Sequence, residues 1–141
     1  MTPAYDPANL FAKILRGEMP CHRVYEDAHA LAFMDIMPRC DGHVLVIPKA
    51  PARNVLDIAP ASLAAMMPSV QKVARAAFKA FAADGLTLHQ ANEGPGGQVV
   101  FHLHFHLMPR HAGKPLRPPA SEMAKPELLA AHADRIKAAL A

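Results

Sequence analysis

Three histidines, each separated from the next by one large apolar residue, stand in the segment FHLHFHLMPR at residues 101–110. They are His102, His104 and His106, and their spacing of two residues equals the side-chain period of a β-strand. A helix would scatter the same imidazoles around its axis and give neither face a consistent character. We therefore predict a strand with its histidines on one face and its apolar residues on the other, namely Phe101, Leu103, Phe105 and Leu107.

The remaining segments predict an antiparallel α+β domain. A short helix is expected from the cap Asn9 to Gly17, then a hairpin of strands near Glu26–Asp27 and a strand HVLVIPK. A long helix is expected over about 61–83, bent or restarted at Pro68 and followed by Gly85. A strand LTLHQAN, a glycine-rich turn, the histidine strand and a helix at 126–140 complete the order. Because strands occur in adjacent pairs without strand–helix alternation, a doubly wound fold is disfavoured.

Length and charge limit the classes of function. At 141 residues the chain predicts one domain over 1–141, with its core at 9–110 and a C-terminal loop and helix at 111–141. Its 15 Lys and Arg against 12 Asp and Glu are interspersed, which argues against nucleic acid as a partner. No export signal or membrane-length apolar run is visible, so we expect a cytoplasmic protein with reduced thiols at Cys21 and Cys40.

A metal site is one interpretation of the histidine run. Alternate residues on a strand lie about 6.6 Å apart at Cα, so one ion with bonds of about 2.0 Å takes two neighbours more readily than all three. A further ligand could come from His43, His89 or His111. We expect no metal and no other cofactor.

Nucleophilic catalysis is the second interpretation. A neutral imidazole that donates one ring N–H to a backbone carbonyl presents the lone pair of its other nitrogen, ready to attack phosphorus. The central residue, His104, is best placed for this role because neighbours flank it on both sides. Just upstream, the segment NEGPGGQ offers glycine amides that could approach phosphate oxygens, flanked by the side chains of Asn92 and Gln98.

Three segments together resemble the histidine triad (HIT) family of nucleotide hydrolases and transferases: LFAKILRGEMP, AFMDIMPRCDGHVLVIPK and GGQVVFHLHFHLMPR. The resemblance covers most of the chain and extends to bacterial HIT-like proteins. It implies an α+β fold with a five-stranded antiparallel sheet, one long and one short helix plus a C-terminal helix. It also implies a homodimer whose sheets join, with a purine nucleotide as substrate.

The resemblance further implies roles for individual residues. His104 would carry a nucleotidyl intermediate, His106 would assist the leaving group, and His102 and His43 would support the site. Asp35 would contact ribose hydroxyls. Asn92, Gly97 and Gln98 would lie near the phosphate, and the residues expected around the base are Phe11, Met19, Met34 and Ile36.

Two departures from the family pattern and three classes of function stay open at this stage. Val99 stands where many relatives carry Ser or Thr, and the cysteines that hold a structural zinc in some relatives are absent from NLFAKI. The expected activity is release of AMP or GMP from a phosphoramidate or a dinucleoside polyphosphate. A nucleotide-binding adaptor with vestigial hydrolysis and a metal protein are the alternatives. In the C-terminal segment, Lys114 and Arg117 are candidates for contacting a polyphosphate tail.

Overall fold

A computed structural model of the chain describes residues 2–140. The helices in this part are α1 (Leu10–Leu15), α2 (Pro60–Ala80) and α3 (Pro126–Ala139). The strands are β1 (Arg23–Glu26), β2 (Ala30–Met34), β3 (Val44–Pro48), β4 (Gly85–His89) and β5 (Phe105–Arg110). This content confirms the predicted α+β class. The two ends of the predicted domain, Met1 and Ala141, lie outside the described residues.

One antiparallel sheet contains all five strands in the order β1-β2-β3-β5-β4, so β1 and β4 form its edges. On one face, Val44, Val46 and Leu107 belong to the main apolar cluster, which α2 and α3 cover. On the other face, Leu45 packs in a smaller cluster with Phe11 of α1. His106 pairs in register with Leu45, so its side chain lies on this second face, which we call the histidine face.

The histidine segment is only partly a strand. β5 begins at Phe105, so His106 alone of the three histidines lies within it, and the prediction of a strand from residue 101 was wrong. The Leu103 amide donates to the carbonyl of Ala52 instead of joining the strand ladder. The alternation of faces nevertheless holds, because Leu103 and Phe105 pack in the main cluster. Burial of the apolar residues determines which way the side chains point. The hydrogen bond to Ala52, in the loop after β3, determines how the backbone at Leu103 pairs.

A glycine turn fixes the start of β3. Gly42 has φ of +84°, and a Cβ there would lie 2.7 Å from ring carbons of Phe81, so only glycine fits. Gly85, in contrast, does not end α2 as the sequence predicted. The helix ends at Ala80, Ala82 takes the left-handed conformation with φ of +46°, and Gly85 already begins β4. α2 also runs through Pro68 without a break.

Candidate active site

A pocket of about 190 Å³ opens on the histidine face. We call it the histidine pocket. It is lined by five of the predicted site side chains, and the backbone of Gly97 approaches it from the loop before β5. These side chains are Phe11, Asp35, His43, His104 and His106. The fold therefore brings residues from α1, the β2–β3 connection and the β5 region to one place.

The orientation of His104 is set by its own segment. Its Nδ1 lies 2.7 Å from the carbonyl oxygen of His102. Because a carbonyl oxygen only accepts, Nδ1 carries the proton, and in the neutral ring Nε2 keeps a free lone pair. Phe11 packs edge-on against the imidazole, with ring centroids 5.0 Å apart. The same Nδ1–H bond would stabilise the positive charge that the ring acquires when Nε2 bonds to an electrophile.

His102 lies behind the pocket and does not line it. Its side chain is fully buried, and its Nε2 donates to the carbonyl of Pro48 at 2.9 Å. Its Nδ1 must then accept, and the partner is the hydroxyl of Tyr5 at 2.7 Å. With both ring nitrogens engaged, His102 anchors the backbone carbonyl that orients His104.

His43 and His106 form a second linked pair. The backbone amide of Arg39 donates to His43 Nδ1 at 3.0 Å, so the proton of the neutral ring lies on Nε2. That Nε2 is 2.9 Å from His106 Nδ1, which must accept. The remaining ring nitrogen of His106, Nε2, therefore carries a hydrogen. The pair presents an N–H donor beside the lone pair of His104, with the two rings 4.9 Å apart.

Burial keeps all four imidazoles neutral near pH 7. Loss of hydration lowers the pKa of His43 to about 3, with the charge of Arg39 acting in the same direction. Burial and the adjacent His104 and His43 lower the pKa of His106 to about 3. The pKa values of His102 and His104 are also lowered, chiefly by burial. The neutral rings justify the assignment of each proton to one nitrogen.

Asp35 closes one side of the pocket. Burial raises the pKa of its carboxyl group to about 6, although the Met37 amide donates to Oδ1 at 2.8 Å and acts in the opposite direction. Its Oδ2 lies 3.5 Å from His43 Nε2 and 4.0 Å from His106 Nδ1. These contacts are not ion pairs, because both imidazoles are neutral. The carboxylate is left free to accept from a ligand hydroxyl.

A buried polar network holds the glycine loop. The Gln98 side chain accepts from the Glu93 amide at 2.8 Å and from Asn54 at 3.1 Å. It also donates to the carbonyls of Arg53 at 2.7 Å and Val100 at 3.1 Å. Glu93 has φ of +64° and is clamped by two hydrogen bonds from the Arg53 guanidinium, at 2.7 and 2.9 Å. The Gln98 amide group thus has no capacity left for a phosphate and serves to shape the loop.

The amides open to an anion differ from those expected. Those of Gly96, Gly97 and Gln98 donate to carbonyls within the loop itself. Val99 and Val100 line the pocket, and neither of their amides donates to another group in residues 2–140. Backbone N–H groups of this kind bind phosphate oxygens without any side-chain hydroxyl.

Besides Gln98, four residues expected near the nucleotide lie outside the pocket lining. Asn92 accepts from the Val55 amide and pairs with Gln90. Met34 is buried in the main cluster on the opposite face of the sheet. Met19 and Ile36 are each 42% exposed and away from the lining. The sequence-based expectation that they contact the nucleotide has no support in this geometry.

The pocket also contains residues that sequence reasoning missed. Leu45 and Met108 lie two positions beyond His43 and His106, so the strand period could have found them. His89, named from the sequence only as a possible metal ligand, reaches the pocket because it pairs in register with His106, with the rings 5.5 Å apart. The others carry no visible sequence signal: Met37, Arg39, Val100, Pro119 and Ala120.

A metal ion has one candidate ligand group among the described residues. The donor atoms of Asp35, His43 and His106 lie within 4.8 Å of one another. However, the Arg39 amide occupies His43 Nδ1, so His43 Nε2 carries a hydrogen and has no lone pair to offer. A metal would have to break that bond or remove a proton from a neutral imidazole. The arrangement fits a hydrogen-bonded pair better than a metal centre.

Comparisons with known proteins identify the class to which this fold and site belong. The family model of the HIT domain matches residues 16–113 of this chain. The chain is 41% identical to the protein hit of Bacillus subtilis (strain 168) over 102 residues, which cover 72% of this chain and 70% of that protein. The chain belongs to the HIT family.

Two further relatives carry names of enzymes. One is the adenosine 5′-monophosphoramidase hnt1 of Schizosaccharomyces pombe, 39% identical over 101 residues, with 72% of this chain and 73% of that protein covered. The other is the adenylylsulfatase HINT3 of Arabidopsis thaliana, 40% identical over 101 residues. The match covers 72% of this chain but only 51%, about half, of the Arabidopsis protein.

Solved structures agree with this assignment. A HIT-like protein from Bartonella henselae, described as involved in cell-cycle regulation and as holding an unknown ligand, superposes with a TM-score of 0.91. It is 48% identical, with 96% of this chain and 99% of that chain covered. A zinc-bound histidine triad protein from Mycobacterium smegmatis superposes with a TM-score of 0.81 at 34% identity, with 94% of this chain and 93% of that chain covered.

No helix in residues 2–140 is long and apolar enough to cross a membrane.

Proposed function

We propose that this protein releases AMP or GMP from a phosphoramidate or a dinucleoside polyphosphate through a nucleotidyl intermediate on His104. The observation that carries the proposal is the Nδ1–H bond of His104 to the His102 carbonyl, which leaves the Nε2 lone pair as the free nucleophile beside an N–H donor on His106. The names of the fission-yeast and Arabidopsis relatives support an adenosine nucleotide as substrate.

In the first step, the Nε2 lone pair attacks phosphorus, the Nε2–P bond forms and the bond to the leaving group breaks. The electron pair departs with the leaving group, and His106 Nε2–H donates a hydrogen bond to the developing charge. In the second step, a water oxygen attacks phosphorus, the Nε2–P bond breaks and its electron pair returns to Nε2. The water proton leaves with the solvent or with a basic leaving group.

The nucleotide has matching contacts on the pocket wall. Its phosphate oxygens would accept from the amides of Val99 and Val100, which replace a side-chain hydroxyl at position 99. Asp35 would accept from the ribose hydroxyls, and the base would lie against the apolar surface that Phe11 and Leu45 contribute. These contacts suit a purine nucleotide without distinguishing AMP from GMP.

Intact mass spectrometry tests the mechanism. Wild-type protein mixed with adenosine phosphoramidate and quenched in the first turnover should gain one adenylyl group, and His104→Ala should gain none while still binding AMP. His29→Ala is the matched control, because His29 is exposed and outside the pocket lining. Turnover by His104→Ala near the wild-type rate would overturn the proposal. Binding of AMP without any adenylylated wild-type protein would instead identify a nucleotide-binding adaptor.

The assembly and location expected for the family are also proposals here. Strand β4 is an unpaired sheet edge, and it exposes Leu88, which is 47% accessible. We propose that two copies form a homodimer whose sheets join. Each copy is a single HIT domain, and it acts in the cytoplasm without nucleic-acid or membrane partners. Light scattering at low micromolar concentration should return twice the 15.2 kDa chain mass, and a monomer mass would contradict the dimer.

A further inference from the structure

A second pocket, of about 380 Å³, lies beyond the C-terminal end of β5. We call it the basic pocket, because five cationic side chains line it: Arg39, Arg110, Lys114, Arg117 and Arg135. Among residues 2–140, Asp41 is the only carboxylate in its lining. Because the chain has 15 Lys and Arg against 12 Asp and Glu, the remaining ten basic residues are outnumbered by eleven acidic ones. The whole positive excess of the protein is therefore concentrated at this pocket.

The cations of the basic pocket have almost no carboxylates nearby to neutralise their charge. In residues 2–140, the one carboxylate within 4.0 Å of any of them is Asp41, beside Arg117. Lys114 is exposed and makes no side-chain hydrogen bond or ion pair there. Like charges grouped without partners repel one another, so the group stabilises a bound anion more than it stabilises the empty protein.

Several of these side chains are already held in place. Arg39 Nε donates to the Arg117 carbonyl at 2.8 Å, and Arg117 Nε donates to the Pro38 carbonyl at 3.2 Å. Arg135 donates to the Ala80 carbonyl and stacks on the Phe81 ring at 4.1 Å. Each guanidinium uses only part of its five donors in these bonds, so the others remain for oxygen atoms of an anion. Ordering before binding lowers the entropy cost of the complex.

The basic pocket adjoins the histidine pocket. Arg39 lines both pockets, and the segment from His111 to Ala120 runs from one to the other. Along β5, Arg110 is four residues beyond His106, about 13 Å at the rise of a strand. A chain of several phosphate groups covers a distance of this order, whereas a single phosphate at His104 does not.

We propose that the basic pocket binds an oligophosphate, a small anion with several linked phosphate groups. The phosphates come either from the leaving group of the substrate or from a separate anion. Only the first source rests on the proposed hydrolase function. Guanidinium and ammonium groups suit phosphate oxygens, because each offers several charged donors.

Inorganic tripolyphosphate is the probe for binding, measured by calorimetry at low and at physiological salt. We expect binding to wild type that weakens with salt, and about tenfold or greater loss in Lys114→Glu/Arg117→Gln. The control Arg75→Glu/Lys79→Gln makes the same change in charge at exposed positions of α2 outside the pocket and should bind within about twofold of wild type. Equal affinity in both variants, or no binding to wild type, overturns the proposal.

A fall in thermal stability would point to misfolding of the double variant, since Arg117 holds the Pro38 carbonyl. Lys114→Glu alone then replaces it, because that side chain has no contact to lose. Its control is Arg75→Glu. Equal affinity of Lys114→Glu and Arg75→Glu for tripolyphosphate, or no binding to wild type, again overturns the proposal.

Kinetics distinguish the source of the phosphates. If they belong to the substrate, the double variant should lose kcat/KM on diadenosine tetraphosphate and keep it on adenosine phosphoramidate. If they belong to a separate anion, both values should stay unchanged although tripolyphosphate binding is lost. Equal losses on both substrates would mean that the variant disturbs the histidine pocket, and the proposal fails. Absence of turnover in wild type would refute the hydrolase function alone, because tripolyphosphate binding is measured without it.

Discussion

The histidine pocket and the basic pocket share Arg39 but differ in how they are built. The histidine pocket uses buried, neutral rings whose protons are assigned by single hydrogen bonds, such as the Arg39 amide to His43. The basic pocket uses permanent charges, three of them exposed and two half-buried, with Lys114 free of any partner in the described chain.

This difference teaches how each pocket responds to change. A buried network depends on every member, because removing one partner leaves another polar group unsatisfied in a medium of low dielectric. A set of exposed cations depends on total charge, which is screened by salt and changes by degrees. The first pocket should therefore respond to single atoms and the second to net charge.

After loss of the proposed nucleophile His104 itself, the largest effect should follow loss of the His106 donor. His106→Ala removes the Nε2–H that we propose faces the leaving group, and loss of one such donor costs about 10²- to 10³-fold in rate. His106→Gln keeps an N–H donor and should recover part of the rate. Single-turnover rates on adenosine phosphoramidate test this. Equal rates for the Ala and Gln variants would show that donation from this position does not matter.

Acid should destabilise the fold through the same histidines. The folded-state pKa values of His43 and His106 are about 3, below the ordinary value near 6.5, so the unfolded chain binds more protons between these limits. Stability is then fully present above about pH 6.5 and falls as pH decreases, by about 1.4 kcal/mol per pH unit for each histidine. Asp35, with its pKa raised to about 6, opposes part of this loss below pH 6.

Urea unfolding at several pH values between 7.5 and 4.5 measures this dependence. The free energy of unfolding should fall from pH 7.5 to pH 4.5, because the loss from His43 and His106 together exceeds the gain from Asp35. A free energy of unfolding that is flat or rises toward acid would contradict the neutral, buried state of the pair.

The buried network around Gln98 should matter next. Gln98→Ala leaves the Glu93 amide and one of the two Asn54 side-chain N–H groups without their acceptor, while the other keeps Glu93, and this costs about 1–3 kcal/mol in the free energy of unfolding. Gln71→Ala is the matched control, because Gln71 is exposed on α2. Chemical denaturation compares the two. Equal stabilities would mean that the glycine loop does not need this network.

The smallest effect is expected at Tyr5. Tyr5→Phe removes the hydroxyl that donates to His102 Nδ1 but keeps the edge-on ring contact, whose centroids lie 5.6 Å apart. We expect a loss of about 1 kcal/mol in stability, typical of one hydrogen bond. Denaturation of Tyr5→Phe beside wild type measures it. A loss of several kcal/mol would show that Tyr5 holds more of the site than one bond explains.

The amino-acid order alone determined the main elements and the burial of Leu103, Phe105 and Leu107 in the main apolar cluster. The two-residue alternation around His104 and the helical spacing of apolar residues in α2 show which residues are buried. Each residue type has its own preference for burial, so these patterns can be detected in the sequence alone. The Asn9 cap was likewise predictable, because its side chain bonds the Ala12 amide three residues on. The resemblance to the HIT family came from the same residues and was confirmed by the relatives.

Only the tertiary structure decided which atoms meet. Met34 was expected beside the base but lies on the far face, since strand alternation places it with α2 and α3. The glycine amides were expected to hold phosphate but bond within their own loop, which leaves Val99 and Val100. The protons of His43 and His106 depend on an amide from Arg39, and the basic pocket gathers cations from the β2–β3 connection, the segment after β5 and α3. The cations of the basic pocket come from residues far apart in sequence, and no local preference predicts that they meet.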